Sequence, residues 1–230
     1  MKKADPLGDG ISSVEYVDHM GDDLRVVNAA RISFDKQSRL EVDETGFWLS
    51  PEDGRLIGFL AEHRHMSPFF HPQVCLRIEM PAFLAHQWWR STVGVCRSEV
   101  YRRYVISEPD CYQPQTWRLK GRAAKEGRAH LDEAKATELS ARIAKVQQDI
   151  KDLYREAIGL EVASELAQMI LPQSTYTHWI ETGSLHYYSR VYALQTGAAA
   201  QRELTLYAEA VGQILSELFP VSWKALTNPQ

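Results

Sequence analysis

Cysteine is scarce in this 230-residue chain. Cys75, Cys96 and Cys111 are the only three, they show no paired metal-ligand spacing, and their odd number leaves one thiol over. Neither a metal site nor a disulfide framework is indicated. Positive charge is short as well: 26 Lys and Arg stand against 30 Asp and Glu, a net charge of -4. Attachment to a duplex needs a basic face, so polymeric nucleic acid is not the expected partner, whereas a mononucleotide asks only for a basic pocket. No apolar run is long enough to cross a bilayer, and the opening MKKADPLGDG leads into polar sequence instead of the apolar centre of an export signal. A reducing cytoplasm, with no membrane attachment, is expected. Internal repeats and low-complexity linkers are missing too. A hydrophobic content of 44% over 230 residues suffices for one domain spanning residues 1–230, or for one domain with a helical insertion.

Periodicity gives the elements. Residues 14–17 and 24–29 carry strand-like content, with Gly21-Asp22-Asp23 as the turn between them. Leu56, Phe59 and Leu60 suit a short helix over 51–61, with Ser50 as its N-cap and Pro51 in its first turn. Val74, Leu76, Ile78 and Met80 alternate with Cys75, Arg77 and Glu79, the period-two pattern of a half-buried strand, and Pro81 then opens a helix bearing Gln87, Trp88 and Arg90. Leu139, Ile143, Val146, Ile150 and Leu153 fall at alternating four- and three-residue steps, which predicts a long amphipathic helix over 131–160, structural or oligomer-packing. Before it, Arg118, Lys120, Arg122, Lys125 and Arg128 read as solvated surface more than as a nucleic-acid contact. After Pro172 a turn or short loop leads into a helix through Tyr187, Val191 and Leu194, and a last helix covers about 201–218. The class is α/β, a mixed sheet with long helices.

The chemistry gathers between residues 63 and 104. Arginines are usually dispersed over a solvated surface, yet Arg90, Arg97, Arg102 and Arg103 sit among Trp88, Trp89, Tyr101 and Tyr104, which prefer partial burial. A guanidinium beside aromatic rings can grip phosphate with its planar fork and stack on a flat heterocycle. A nucleotide or a phosphate-bearing cofactor is therefore the expected ligand.

Gln87-Trp88-Trp89-Arg90 followed by Ser98-Glu99-Val100-Tyr101-Arg102-Arg103-Tyr104 resembles the flavin-dependent thymidylate synthase signature, QWxRHRxxSxNExSxRY. Val27-Asn28-Ala29-Ala30-Arg31-Ile32-Ser33-Phe34 is similar to the family's AARVS segment, and His65-Met66-Ser67-Pro68-Phe69 to its H-x-[ST]-P-F element. Ile170-Leu171-Pro172 and Ala200-Gln201-Arg202-Glu203-Leu204 resemble its LP turn and its AQ-x-E-[IL] segment. The departures are equally specific. Arg90-Ser91-Thr92 stands for RHR, one extra residue precedes Glu99, and three basic positions of the family become Gln168, Gln195 and Ala199. A family glutamate becomes Phe70, and Ser184, His186 and Arg190 stand where the family has asparagine, arginine and asparagine.

The resemblance implies FAD as cofactor, methylenetetrahydrofolate and NADPH as co-substrates, and reductive methylation of C5 of a uracil nucleotide. It also implies a homotetramer with active sites shared between subunits. Carried over residue by residue, it places Gln87, Arg90, Glu99, Tyr101, Arg102, Arg103 and Gln195 at the nucleotide. Arg102 and Arg103 both remain open for its phosphate. Ser33, His65, Ser67, Arg90, Ser91, Thr92, Ser184, His186 and Arg190 fall at the flavin. No covalent nucleophile is assigned; Cys96 reads as small packing and Trp88 as a core or interface ring. The altered basic set resembles the UMP/dUMP C5-methylase branch of nucleoside-antibiotic pathways such as polyoxin synthesis. An ordinary dUMP-to-dTMP thymidylate synthase and a noncatalytic flavin- or nucleotide-binding module are the alternatives.

Overall fold

The computed structural model describes residues 3–44, 46–105, 107–120 and 130–228. Its strands among these residues are β1 (Lys3–Ala4), β2 (Ser13–Met20), β3 (Glu41–Asp43), β4 (Gly46–Trp48), β5 (Gln73–Pro81), β6 (Val95–Glu99) and β7 (Tyr176–Ser184). Five of them form a sheet in the order β1-β2-β5-β7-β6, and β3 and β4 make a separate antiparallel pair. Helices are α1 (Asp23–Arg31), α2 (Pro51–Glu62), α3 (Ala82–Trp88), α4 (Glu133–Gly159), α5 (Ser164–Ala167), α6 (Leu185–Thr196), α7 (Arg202–Leu218) and α8 (Pro220–Thr227). The mixture of sheet and long helices is the α/β class read from the sequence.

The chain divides into two compact units. The first comprises Met1–Met80, Leu84–Glu99 and His178–Gln230, and the second Pro81–Phe83 and Val100–Thr177. The core of the first unit follows from the alternation on β5, where Val74, Leu76, Ile78 and Met80 are fully buried while Arg77 faces solvent. Leu204, Tyr207, Val211 and Leu215 supply the buried stripe of α7, and Tyr207 donates its hydroxyl to the Glu79 carbonyl at 2.7 Å. Ser50 caps α2 as the sequence predicts, accepting from the Asp53 amide at 3.1 Å.

Two expectations are corrected. Residues 24–29 are helical, not a strand. Gly21, at φ +84°, turns the chain, and Asp22 then caps α1 by accepting from the Arg25 amide at 3.0 Å. The Asp23 carboxylate accepts the Val221 and Ser222 amides at 2.9 Å each, so capping and tertiary hydrogen bonds override the β-branched pair Val26-Val27. The segment after Pro172 is no simple loop either, since it contains the nine-residue strand β7.

In the second unit, α4 confirms the long amphipathic helix, with Asp132 as N-cap. Its buried line differs from the one expected. Gln147 and Tyr154 are buried, whereas Val146 and Leu153 are 55% and 50% exposed. Gln147 is held because its amide is satisfied, donating to the Tyr112 carbonyl at 3.1 Å and to Ser174 Oγ at 2.9 Å and accepting from Gln113 at 2.9 Å. Arg118 and Lys120 are exposed. Arg122, Lys125 and Arg128 lie outside the described residues.

Candidate active site

The signature begins at the C-terminal end of α3 and runs through β6. Gln87 is the penultimate residue of the helix, and Trp89 to Thr92 form the turn that follows. Gly94, at φ +85°, redirects the chain into β6; a Cβ there would lie 2.8 Å from Ser184 Oγ and 3.2 Å from the Phe70 ring. Only glycine meets both conditions. β6 then pairs antiparallel with β7, Arg97 opposite Glu181 and Glu99 opposite Trp179.

Between these strands lies a buried polar junction that periodicity did not disclose. Glu181 has no solvent exposure. Its carboxylate accepts from Arg97 Nε at 2.9 Å, Trp179 Nε1 at 2.9 Å and Trp88 Nε1 at 3.3 Å. Arg97 Nη2 also donates to the Ser91 carbonyl at 2.8 Å and to the Tyr187 hydroxyl at 2.6 Å. The anion that Arg97 holds is therefore Glu181, not a ligand phosphate. Burial, with the Glu181 charge second, pushes the Tyr187 hydroxyl far above its ordinary range and keeps it protonated. Trp88 is core, as read from the sequence. Cys96 is exposed on the outer face of β6, because inward Arg97 turns its neighbour outward; the packing reading is corrected.

The nucleotide candidates are distributed over several elements. Gln87 Nε2 donates to Gln201 Oε1 at 3.0 Å, and Gln201 Nε2 donates to Glu203 at 3.0 Å, so the signature meets the AQ-x-E segment across 114 residues of sequence. Arg90 is exposed just beyond α3, and Glu99 is exposed at the end of β6. Gln195 is buried on α6, and its carbonyl accepts from Thr205 Oγ1 at 2.7 Å. Tyr101, Arg102 and Arg103 belong to the second unit. There Arg102 donates to the Ser107 carbonyl at 3.1 Å, Arg103 is exposed, and the Tyr101 and Tyr104 rings meet edge to face at 5.5 Å.

The flavin candidates all lie in the first unit. Ser184 is fully buried and caps α6, accepting from the Tyr187 amide at 3.1 Å. His186 sits in the first turn of that helix with its ring 4.7 Å from Phe70, and Arg190 is exposed one turn later. His186 Nδ1 is buried and has no hydrogen-bond partner among the described residues. Burial first, and the Arg190 charge second, hold His186 below its ordinary pKa. Ser91 is half-buried with its carbonyl held by Arg97, and Thr92 is exposed. Ser33 and Ser67 are exposed within short 3-10 turns, and His65 is exposed 6.0 Å from the Phe59 ring. Nothing in the sequence marks Glu181 except its place between Trp179 and the α6 cap.

Comparison with known proteins agrees with the family resemblance. The family model described as thymidylate synthase complementing protein matches residues 15–221. The flavin-dependent thymidylate synthase of Thermus thermophilus is 34% identical over 215 residues, 92% of this chain and 74% of the relative. That of Treponema pallidum is 31% identical over 219 residues, 94% of this chain and 68% of the relative. The chain thus belongs to the flavin-dependent thymidylate synthase family. Among solved structures, the UMP/dUMP methylase PolB from Streptomyces cacaoi, bound with 5-Br dUMP, matches with a TM-score of 0.77 at 24% identity over 94% of each chain. That likeness is one of fold.

Proposed function

We propose that this chain catalyses flavin-dependent reductive methylation of C5 of a uracil nucleotide, UMP or dUMP. FAD is the cofactor, methylenetetrahydrofolate the one-carbon donor and NADPH the reductant. The observation that carries the reading is the Gln87–Gln201–Glu203 junction, which brings two family segments into hydrogen-bond contact. The polyoxin-type branch is favoured because Gln195 and Ala199 replace basic groups while Gln87, Arg90 and Glu99 are kept. The working form is a cytoplasmic homotetramer with shared sites. Among the described residues no helix is long and apolar enough to cross a membrane.

The residues suit a flavin. A neutral imidazole with an unused buried nitrogen, beside an aromatic ring and at a helix N-terminus, matches the mixed donor and acceptor edge of an isoalloxazine. His186, Arg190, Ser91 and Thr92 would hold it, with Ser33, His65 and Ser67 as further contacts and Ser184 shaping the helix end. Bound flavin supplies the redox and carbon-transfer chemistry. Protein groups orient the nucleotide. On the family resemblance, Arg90 would hold the phosphates of nucleotide and flavin, Glu99 and Tyr101 would each border the ribose, and Arg102 or Arg103 would take the nucleotide phosphate. Gln195 donates to a uracil carbonyl, a weaker polariser than a full positive charge.

The test is to incubate the purified protein with FAD, NADPH, methylenetetrahydrofolate and either UMP or dUMP, and to weigh the products. A C5-methylated nucleotide is expected. Copurifying FAD with no product from either nucleotide would reduce the protein to a flavin-binding module.

A further inference from the structure

Glu181 lies outside every segment that carries the family resemblance, yet α3, β6 and β7 all converge on its carboxylate. A fully buried carboxylate is costly to desolvate, and apolar residues of similar volume would join two strands with comparable or greater stability. Cohesion of the sheet therefore gives no reason for the ion pair. Its distinctive property is the fork of Arg97. One edge of the guanidinium is fixed on Glu181 at 2.9 Å, while Nη2 holds the Ser91 carbonyl at 2.8 Å and the Tyr187 hydroxyl at 2.6 Å. Ser91 stands between Arg90 and Thr92 in the turn after α3, and Tyr187 is next to His186 in the first turn of α6.

We propose that the Arg97–Glu181 pair is a positioning device for the flavin side of the site. It clamps the Arg90-Ser91-Thr92 turn to the start of α6, so that these residues and the His186–Arg190 face keep one spacing. This inference rests on the flavin reading given above. A rigid five-donor fork can bridge a carboxylate, a carbonyl and a hydroxyl together; an ammonium, as a point charge on a flexible stem, does not reproduce that geometry. The indole donors of Trp88 and Trp179 fix the remaining directions of the carboxylate, which sets the plane of the fork.

Two variants of the full chain test it, each followed by FAD titration in the absence of nucleotide and by thermal unfolding of the flavin-free protein. Arg97→Lys keeps the charge pair but loses the bridge. Arg97→Met with Glu181→Gln removes both charges and keeps an acceptor for the two indoles. The expected result is an unfolding midpoint close to that of the unaltered chain, with FAD affinity lowered on the order of tenfold, the scale seen when outer partners of binding groups are removed. FAD affinity equal to that of the unaltered chain in both variants overturns the proposal. So does a loss of affinity that merely follows a loss of folded protein, which assigns the pair to the fold. An unaltered chain that binds no FAD overturns the flavin reading, and the positioning role with it.

Discussion

β5 and β7 are neighbours in the sheet, nine residues each, and bury nearly the same positions along their length. What they bury differs in kind, because β7 sets buried polar groups beside its core rings Tyr176 and Trp179. β5 buries Val74, Leu76, Ile78 and Met80, whereas β7 buries Thr177, Trp179, Glu181 and Ser184. The first is held by apolar area removed from water, which is non-directional. The second is oriented by hydrogen bonds of fixed direction, from Arg97 and Trp88 to Glu181, from Trp179 within the strand, and from the Tyr187 amide to Ser184. Directional contacts fix orientation as well as proximity, and β7 is the strand that leads into the candidate flavin residues.

Single substitutions separate the directional contacts around β7 from the apolar burial of β5. Glu181→Ala leaves the largely buried Arg97 guanidinium without its counter-charge and two indole donors without an acceptor, and should cost about 3–5 kcal/mol of stability in denaturant unfolding. A loss of a few tenths would mean that water reaches the junction. Gly94→Ala comes next. It forces a side chain into the left-handed region and against Ser184 Oγ, and should cost about 1–3 kcal/mol with reduced FAD binding. Ile78→Val on β5 is the apolar counterpart, expected to cost about 0.5–1.5 kcal/mol while leaving FAD affinity unchanged. If it loosens FAD as much as Gly94→Ala does, the two strands do not differ in role.

The smallest effect is a pH limb. Because burial and Arg190 depress the folded pKa of His186, the fold prefers its neutral form. That contribution is full above the ordinary histidine value of about 6.5 and is lost as pH falls through the depressed folded value. His186→Gln should flatten the acid side of a stability-against-pH curve. An unchanged curve would assign the limb to other groups.

The same contrast explains what could be read in the sequence. β5 is legible because its buried and exposed positions differ in hydrophobicity, and α7 is legible for the same reason at helical spacing; α2 and α4 are legible as helices, but Phe59, Val146 and Leu153 on their apolar lines are exposed while Gln147 and Tyr154 are buried. β7 was hidden because Thr177, Glu181 and Ser184 are polar by composition and buried by partnership, and those partners are distant in sequence. α1 was misread because Val26-Val27 suggest a strand, while Asp22 and Asp23 act through a cap and through amides about 200 residues away. Motif residues were found by their order along the chain. Their present contacts, such as Gln87 with Gln201 and Ser184 with the Tyr187 amide, needed the fold.

The most direct measurement uses UMP and dUMP deuterated at C5, incubated with the protein, FAD, NADPH and methylenetetrahydrofolate, with the nucleotide products analysed by mass spectrometry. Substitution at C5 must expel the hydrogen isotope that the carbon carried. The expected product is a methylated nucleotide that has lost its deuterium in step with the methyl gained. A methylated product that retains the deuterium, or recovery of both nucleotides unchanged, would contradict the proposed function.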